Sequence, residues 1–321
     1  MLHVALAELT TALAEDRPAP GPVPPDQVRS HALGPLAHTH GLAGFLTDYA
    51  RSALLADRAR DLAAATAAVL AAEGIPVALL KGVSYAGTLY ADPAERPMTD
   101  VDLLVAPADA SAATAALRRQ GYWTVGPSTQ FSRHHHAVTL KRHGECIDLH
   151  RSPIQPGRAA IPLAEVWART TASPRIPGAR QLDPVDELLF HLANLIRHEL
   201  HVPLLSYVDA GRLWRRLDLA GRAEVRARAR AWRLARPVEA TLAQVEHVLG
   251  WRVAPARWWL PDREEVCRYQ LPARPVQMAR KFLLVQGPTE LARFVAGLAE
   301  ERWEVSRGRY RDPDRGPDGS A

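Results

Sequence analysis

The sequence predicts an α+β protein in which a small mixed β-sheet core lies between N-terminal helices and a C-terminal helical domain. Three patterns predict this class. Short apolar runs typical of strands occur between residues 74 and 155, residues 31–73 are rich in Ala and Leu with helical spacing, and nearly every segment from Pro184 onward has helical spacing. The predicted parts are an N-terminal helical region (1–73), the mixed core (74–155), a helical domain (183–306) and a disordered tail (307–321).

The N-terminal region begins with a predicted helix over residues 1–15. A Pro-rich linker follows over 16–29, and the helical pattern then resumes and continues to Glu73. Gly74 is predicted to end this helix, because glycine accepts the left-handed conformation that closes many helices.

The mixed core alternates strands and helices, and its segments are bounded by Gly, Pro and charged residues. We predict strands at 77–80, 101–105 and 122–125, helices at 84–90 and 108–120, and a hairpin of 136–141 with 145–150. The hairpin turn is Arg142-His143-Gly144, with glycine where a positive φ is needed.

The helical domain is predicted from its periodicity alone. Its expected helices cover 185–200, 204–217, 222–249 with a possible break at Pro237, and 275–304.

Composition excludes several classes of protein. No run of about 18 uncharged apolar residues is present, so no membrane span is expected. Two isolated cysteines form neither a disulfide framework nor a zinc site, and they favour a cytoplasmic location. The formal net charge is +5, and only three of the 40 basic residues are lysines, so arginine content by itself is weak evidence for nucleic-acid binding.

Three aspartates in the mixed core carry the chemistry. Asp100 and Asp102 are two residues apart on one predicted strand, so their carboxylates point to the same side. Asp148 lies on a second predicted strand. Such a carboxylate cluster is costly unless a cation lies between its members, and oxygen ligands suit Mg²⁺ or Mn²⁺. We therefore predict that Asp100, Asp102 and Asp148 bind a divalent metal.

The same stretch offers contacts for phosphate. Gly82 opens a predicted helix, where backbone N–H groups can approach phosphate oxygens, and Lys81 adds a positive charge. An equally weighted alternative is that Lys81 is a solvated lysine at the end of a strand. For Asp148 the alternative is a salt bridge to an arginine across the sheet.

The segment "LLKG…LY…RPMTDVDLLV", with the later "IDLH" and "DELLFHLANLIRH", resembles the nucleotidyltransferase fold superfamily. That superfamily includes polymerase-β-like enzymes and aminoglycoside nucleotidyltransferases. More narrowly, the segment resembles a poorly characterised bacterial nucleotidyltransferase family. In that family LKG replaces the usual small-residue turn and an arginine precedes the paired aspartates.

The resemblance implies a Mg²⁺-dependent enzyme that uses a nucleoside triphosphate (NTP) as donor. It makes Asp100 and Asp102 metal ligands, and Asp148 a third carboxylate that helps to deprotonate the acceptor. Gly82 and Ser84 would contact the phosphates of the nucleotide. The usual adjacent Gly-Gly or Gly-Ser is here Gly82-Val83-Ser84, which leaves the part of Ser84 open.

Further polar residues have two interpretations each. Arg96 could reach the triphosphate, or it could fix the loop before Asp100 by pairing with a carboxylate. A stripe on one predicted helix could line the cleft or could be a solvated face. It consists of Glu187, His191, Asn194 and His198. His150 shares a strand face with Asp148 and is a further cleft candidate. A zinc site at His134, His135 and His136 is less favoured than loop histidines.

The acceptor is the least determined part of the function. The favoured interpretation is a small molecule or peptide, as in antibiotic or natural-product modification. Residues 211–236 carry nine arginines against two acidic residues, a charge of +7, which would suit an RNA 3′ end as in toxin-type transferases. No stacking surface or nucleic-acid motif accompanies this charge, so we favour a solvated helix face. The third alternative is a non-catalytic binding protein of the same fold.

Overall fold

The computed structural model describes residues 2–125, 135–252, 259–269 and 272–307. His134 and residues 308–321, for which a tail is predicted, lie outside the described residues. The chain forms two compact units. Unit 1 comprises Met1–Asp57, Tyr85–Met98 and Pro184–Gln286, and unit 2 comprises Arg58–Ser84, Thr99–Asp183 and Gly287–Ala321.

Helices dominate the described part of the chain. In chain order they are α1 (Leu2–Ala14), α2 (Pro25–Ser30), α3 (Gly34–Thr39), α4 (Leu46–Ala72), α5 (Lys81–Tyr85), α6 (Ala110–Arg119), α7 (Leu163–Arg169), α8 (Pro184–Arg197), α9 (Leu204–Arg216), α10 (Leu219–Ala231), α11 (Ala235–Val248), α12 (Arg263–Arg268), α13 (Arg274–Leu283) and α14 (Pro288–Ser306). A short 3₁₀ helix covers Pro93–Glu95.

The described residues of unit 2 include a mixed sheet. Its strands are β1 (Val77–Leu79), β2 (Val101–Leu104), β3 (Trp123–Val125), β4 (Ala137–Arg142), β5 (Glu145–His150), β6 (Thr171–Ala172) and β7 (Ala179–Gln181). Their order is β3-β4-β5-β2-β1-β7-β6, with parallel pairing of β2 with β5 and of β1 with β7. The predicted α+β class is confirmed, because helices precede and follow a mixed sheet along the chain.

One face of the sheet is closed and the other is partly open. On the closed face Leu103, Leu140 and Ile147 are fully buried, and they form the core of unit 2. On the other face Thr139 and Asp148 are half-buried. The alternation of strand side chains therefore places apolar residues in the core and polar residues on the open face.

Several predicted boundaries are corrected. The helix predicted at 84–90 is the single turn α5, which ends at Tyr85. The helix predicted at 222–249 breaks before Pro237, at Arg233, whose φ of 55° is left-handed. Pro237 lies in the first turn of α11, where a missing N–H costs little. The helix predicted at 275–304 is divided into α13 and α14, and β6 and β7 were not predicted because runs of two and three residues give no periodicity.

Unit 1 is a helical assembly. Helix α8 shows why: Leu188, Leu192 and Leu195 recur at helical spacing and are completely buried. Helices α9, α10 and α11 pack against it and bury Tyr207, Trp232 and Val238. The helical periodicity of α8 thus corresponds to its buried face in this core.

Candidate active site

The candidate site is built on the two parallel strands at the centre of the sheet. The register of β2 and β5 aligns Asp102 with Asp148, which brings the two carboxylates side by side on the open face. Apolar neighbours fix this orientation, because Val101 and Leu103 are buried on the opposite face. A shift of one residue would turn both carboxylates toward the apolar core on the closed face.

Lys81 occupies the end of β1, next to Asp102. Leu80 still pairs with β2 through its N–H and the Asp102 carbonyl, and Lys81 then leaves the strand with a left-handed φ of 48°. Its Nζ atom lies 2.5 Å from Asp102 Oδ1. Non-glycine residues rarely adopt this conformation, and such strain is concentrated at functional sites. The backbone therefore directs the ammonium group to the carboxylate.

His150 is the second partner of Asp102. His150 is 2% exposed, and its Nε2 lies 2.8 Å from Asp102 Oδ1. Its Nδ1 is buried and has no hydrogen-bond partner among the described residues. Burial lowers the pKa of His150, and the Lys81 charge adds to this effect, although Asp102 opposes it. The imidazole is therefore held in its neutral form, the form that ligates metals.

Asp102 is held ionised although it is 5% exposed. Burial would raise its pKa, but the charge of Lys81 and the hydrogen bond from His150 outweigh burial, so the pKa lies well below its usual range. A buried carboxylate that stays charged is a good ligand for a hard cation.

Asp148 completes the candidate metal-binding group. Thr139 Oγ1 donates a hydrogen bond of 2.6 Å to Asp148 Oδ1 and so orients this carboxylate. Asp102, Asp148 and His150 each offer a ligand atom, and these atoms lie within 4.8 Å of one another. Two carboxylates with one imidazole fit Mg²⁺ or Mn²⁺, and the nitrogen ligand suits Mn²⁺ better. The salt bridge to an arginine, the alternative for Asp148, is absent from the ion pairs of the described residues.

Asp100 lies immediately before β2 and is half-buried. By the register of β2 and β5 it is level with Cys146. Burial, followed by the charges of Asp148 and Asp100, raises the pKa of the Cys146 thiol to about 11. The negative charges therefore converge on this part of the open face. The role of Asp100 as a metal ligand remains a prediction.

The predicted phosphate contacts of α5 are buried. Gly82 and Ser84 lie in this helix, and the Ser84 side chain is 1% exposed. The Gln181 side-chain amide donates a hydrogen bond to Ser84 Oγ. Contact with a nucleotide through Ser84 remains a prediction.

Arg96 belongs to unit 1, where it pairs with a buried carboxylate. Its Nε and Nη2 atoms lie 3.1 Å and 2.9 Å from Asp209 Oδ2, and Asp209 also accepts a hydrogen bond of 2.6 Å from the Tyr90 hydroxyl. Burial would lower the pKa of Arg96, but Asp209 outweighs it and raises that pKa. The guanidinium also lies over the Tyr85 ring. This geometry favours the interpretation in which Arg96 fixes its loop.

The polar stripe on α8 divides into buried and exposed members. His191 is buried and bonded on both ring nitrogens, accepting from the Tyr85 hydroxyl at Nδ1 and donating to the Ser206 carbonyl from Nε2. Asn194 accepts a hydrogen bond from Arg197, and His198 is exposed beside the same arginine. A role in lining a cleft remains a prediction for all three.

Most arginines of residues 211–236 have partners within unit 1. Arg222 and Arg226 both lie over the Trp214 ring, Arg226 also pairs with Glu239, and Arg228 reaches Asp186. Arg212 lies over Tyr90, and Arg216 is 3.9 Å from Glu187. The charge of this segment is thus largely engaged in packing and ion pairs.

A family model for uncharacterised nucleotidyltransferases matches residues 27–250. The chain belongs to this family. It is therefore a transferase of the nucleotidyltransferase group, as the resemblance implied. No curated protein matches the chain significantly. Among the described residues, no helix is both long and apolar enough to cross a membrane.

Sequence reasoning missed the two partners of Asp102. His150 was expected only to line the cleft, and Lys81 only to meet phosphate or solvent. The alternation of residues 146, 148 and 150 onto one strand face placed His150 beside Asp148, but it did not identify Asp102 on the neighbouring strand as its partner. No local signal could reveal the Arg96–Asp209 pair, whose members are 113 residues apart.

Proposed function

We propose that the chain transfers a nucleoside monophosphate from an NTP to a hydroxyl or phosphate group of a small-molecule or peptide acceptor, as in antibiotic or natural-product modification. The observation that carries the proposal is the alignment of Asp102 with Asp148 beside His150 and Lys81 on the open face of the sheet. A cytoplasmic location is part of the proposal, since both cysteines are free thiols.

Asp102, Asp148 and His150 would hold the divalent cation, with Asp100 as a further ligand. When bound, Mg²⁺ or Mn²⁺ offsets the negative charge of the phosphates and of the leaving pyrophosphate. Lys81 is 22% exposed at its side chain, so its ammonium can turn from Asp102 toward a phosphate oxygen. Gly82 and Ser84 complete the proposed nucleotide contacts, and Arg96 acts by fixing its own loop through Asp209.

In the proposed reaction the acceptor oxygen forms a bond to the α-phosphorus of the NTP. The bond from that phosphorus to the oxygen of the β-phosphate breaks, and pyrophosphate leaves. Asp148 takes the proton of an acceptor hydroxyl, and Thr139 keeps the Asp148 carboxylate in position. Burial opposes the ionisation of Asp102, but the Lys81 charge and the hydrogen bond from His150 outweigh it, so this carboxylate is ionised before Lys81 turns to the phosphate.

An RNA 3′ end is the second candidate acceptor, suggested by the +7 charge of residues 211–236. The partners of Arg222, Arg226 and Arg228 argue against a site for RNA, because these side chains already meet Trp214, Glu239 and Asp186. A steep decrease in acceptor binding with salt would distinguish RNA from a small molecule.

The test is calorimetric titration of ATP, GTP, CTP and UTP with and without Mg²⁺. We expect metal-dependent binding of at least one NTP by the wild-type chain, and loss of that binding in Asp102→Asn and in Asp100→Asn/Asp102→Asn. Asp109→Asn is the matched control, because Asp109 lies in the same unit and its side chain makes no capping hydrogen bond. Binding that is independent of Mg²⁺, or retained in the Asp102 variants, would overturn the proposal.

A further inference from the structure

The open face of the sheet extends beyond the carboxylates, across β4 to the edge strand β3. Lys141 pairs with Cys146 of β5, and Trp123 pairs with Lys141. Directly opposed residues of paired strands point to the same side of a sheet. Trp123 and Lys141 therefore share the face that carries Asp148, whereas their neighbours Thr124 and Leu140 are buried on the other face.

Trp123 lies on the edge strand β3, where its aromatic ring is exposed. Its side chain is 45% exposed, and the His143 ring meets it edge-on at a centroid distance of 6.4 Å. Lys141 is also exposed, and no carboxylate of the described residues pairs with its ammonium group. An indole face beside a lysine offers a stacking surface and one positive charge for a ligand.

The position of this pair relative to the proposed reaction indicates which substrate it meets. Lys81, the proposed phosphate contact, lies at the β1 side of Asp102, and Asp148 lies on the opposite side, on β5. Attacking and leaving oxygens lie on opposite sides of the phosphorus in an in-line displacement. The acceptor therefore approaches over β5 and β4, and β3 is the next strand in that direction.

The spacing sets the size of the ligand. Trp123 and Asp148 are two strands and two residues apart in register, which corresponds to about 12 Å between their Cα atoms at ordinary strand spacings. Lys141 lies between them.

We propose that Trp123 and Lys141 form the acceptor subsite, and that the acceptor is a nucleotide-like small molecule. Its planar ring stacks on Trp123, its anionic group meets Lys141, and its accepting oxygen lies at Asp148. The inference rests on the proposed function, since it uses the direction of transfer.

The experiment uses the full chain labelled with 5-fluorotryptophan and ¹⁹F NMR, with Trp123→Phe to assign the Trp123 resonance. The probes are AMP, adenosine, which lacks the anion, and ribose 5-phosphate, which lacks the ring. Titrations are made without divalent cations, on the wild type and on Asp102→Asn, so that the metal-dependent donor site does not contribute. Trp303 is the internal control, since it is 48% exposed and lies on α14.

We expect AMP to shift the Trp123 resonance in both backgrounds and to leave Trp303 unchanged. Adenosine and ribose 5-phosphate should bind at least about fivefold more weakly, because each lacks one contact worth about 1 kcal/mol or more. Lys141→Gln should weaken AMP binding by a similar factor, and Lys281→Gln, a lysine of unit 1, should not.

The proposed subsite is refuted if AMP does not shift the ¹⁹F resonance of Trp123, or if the resonance of Trp303 shifts as much as that of Trp123. A preference of more than tenfold for the trinucleotide ApApA over AMP would overturn the small-molecule acceptor. Failure of the NTP titration with a retained AMP shift would reject the donor chemistry and not the ligand site. Metal-dependent NTP binding without an AMP shift would reject this subsite alone.

Discussion

Asp209 is the residue whose removal should affect stability most clearly. Its side chain is 0% exposed and accepts hydrogen bonds from Tyr90 and from both Nε and Nη2 of Arg96. Asp209→Ala would leave a buried guanidinium without its counter-charge and a buried tyrosine hydroxyl without its acceptor. Breaking a buried ion pair by removing one partner costs about 3–5 kcal/mol, so we expect the free energy of unfolding to fall by that amount.

Urea unfolding of the full chain, followed by circular dichroism, measures this loss. Glu239→Ala is the matched control, because Glu239 pairs with Arg226 in the same unit but both side chains are about half exposed. That control should cost less than about 1 kcal/mol. The double replacement Arg96→Met/Asp209→Leu should cost less than the sum of its single changes, because it removes both charges together.

A loss below about 1 kcal/mol in Asp209→Ala, or full additivity in the double replacement, would refute the ion-pair reasoning. NTP titration of the single variants Arg96→Met and Asp209→Asn separates the two interpretations of Arg96. A phosphate ligand predicts weaker NTP binding in Arg96→Met but not in Asp209→Asn, whereas a loop anchor predicts parallel changes in both.

Three further predictions concern single groups. Lys81→Met should lower the free energy of unfolding by about 2–4 kcal/mol, because Asp102 loses a partner in its buried position. Mg²⁺ should raise the melting temperature more in this variant than in the wild type. Equal shifts in melting temperature would contradict a cation site beside Lys81. Burial, followed by the charge of Asp209, raises the pKa of Tyr90 well above 10, so its contribution to stability is complete below pH 10 and is lost as the pH rises above it. Tyr90→Phe should therefore flatten the fall in the free energy of unfolding between pH 9 and 11. An unchanged slope would show that ionisation of Tyr90 does not cause this fall. At a pKa of about 11, roughly 0.1% of Cys146 is thiolate at pH 8, so its alkylation by iodoacetamide should be slow. Asp148→Asn should accelerate this alkylation, and Cys267 is the internal control. A rate unaffected by Asp148→Asn would show that the Asp148 carboxylate does not act on the thiol.

The sequence by itself determined the fold class and the central chemical feature. Asp100-Val101-Asp102 and Ile147-Asp148-Leu149 each place carboxylates and apolar residues on opposite faces, because the period of a strand is two residues. Helical periodicity over 185–200 and 204–217 likewise predicted α8 and α9, which bury their apolar faces. Local periodicity is sufficient to predict such elements, because each of them buries its apolar face in a core.

The tertiary structure alone decided which charges meet. Lys81 and His150 converge on Asp102 from 21 residues before it and 48 residues after it, and Asp209 meets Arg96 across 113 residues. The sequence offers many arginines and aspartates of equal chemical suitability, so no local rule selects the pair. Selection comes from strand register and helix packing, which bring chosen side chains within a few ångströms of one another in an interior where an unpaired charge is costly.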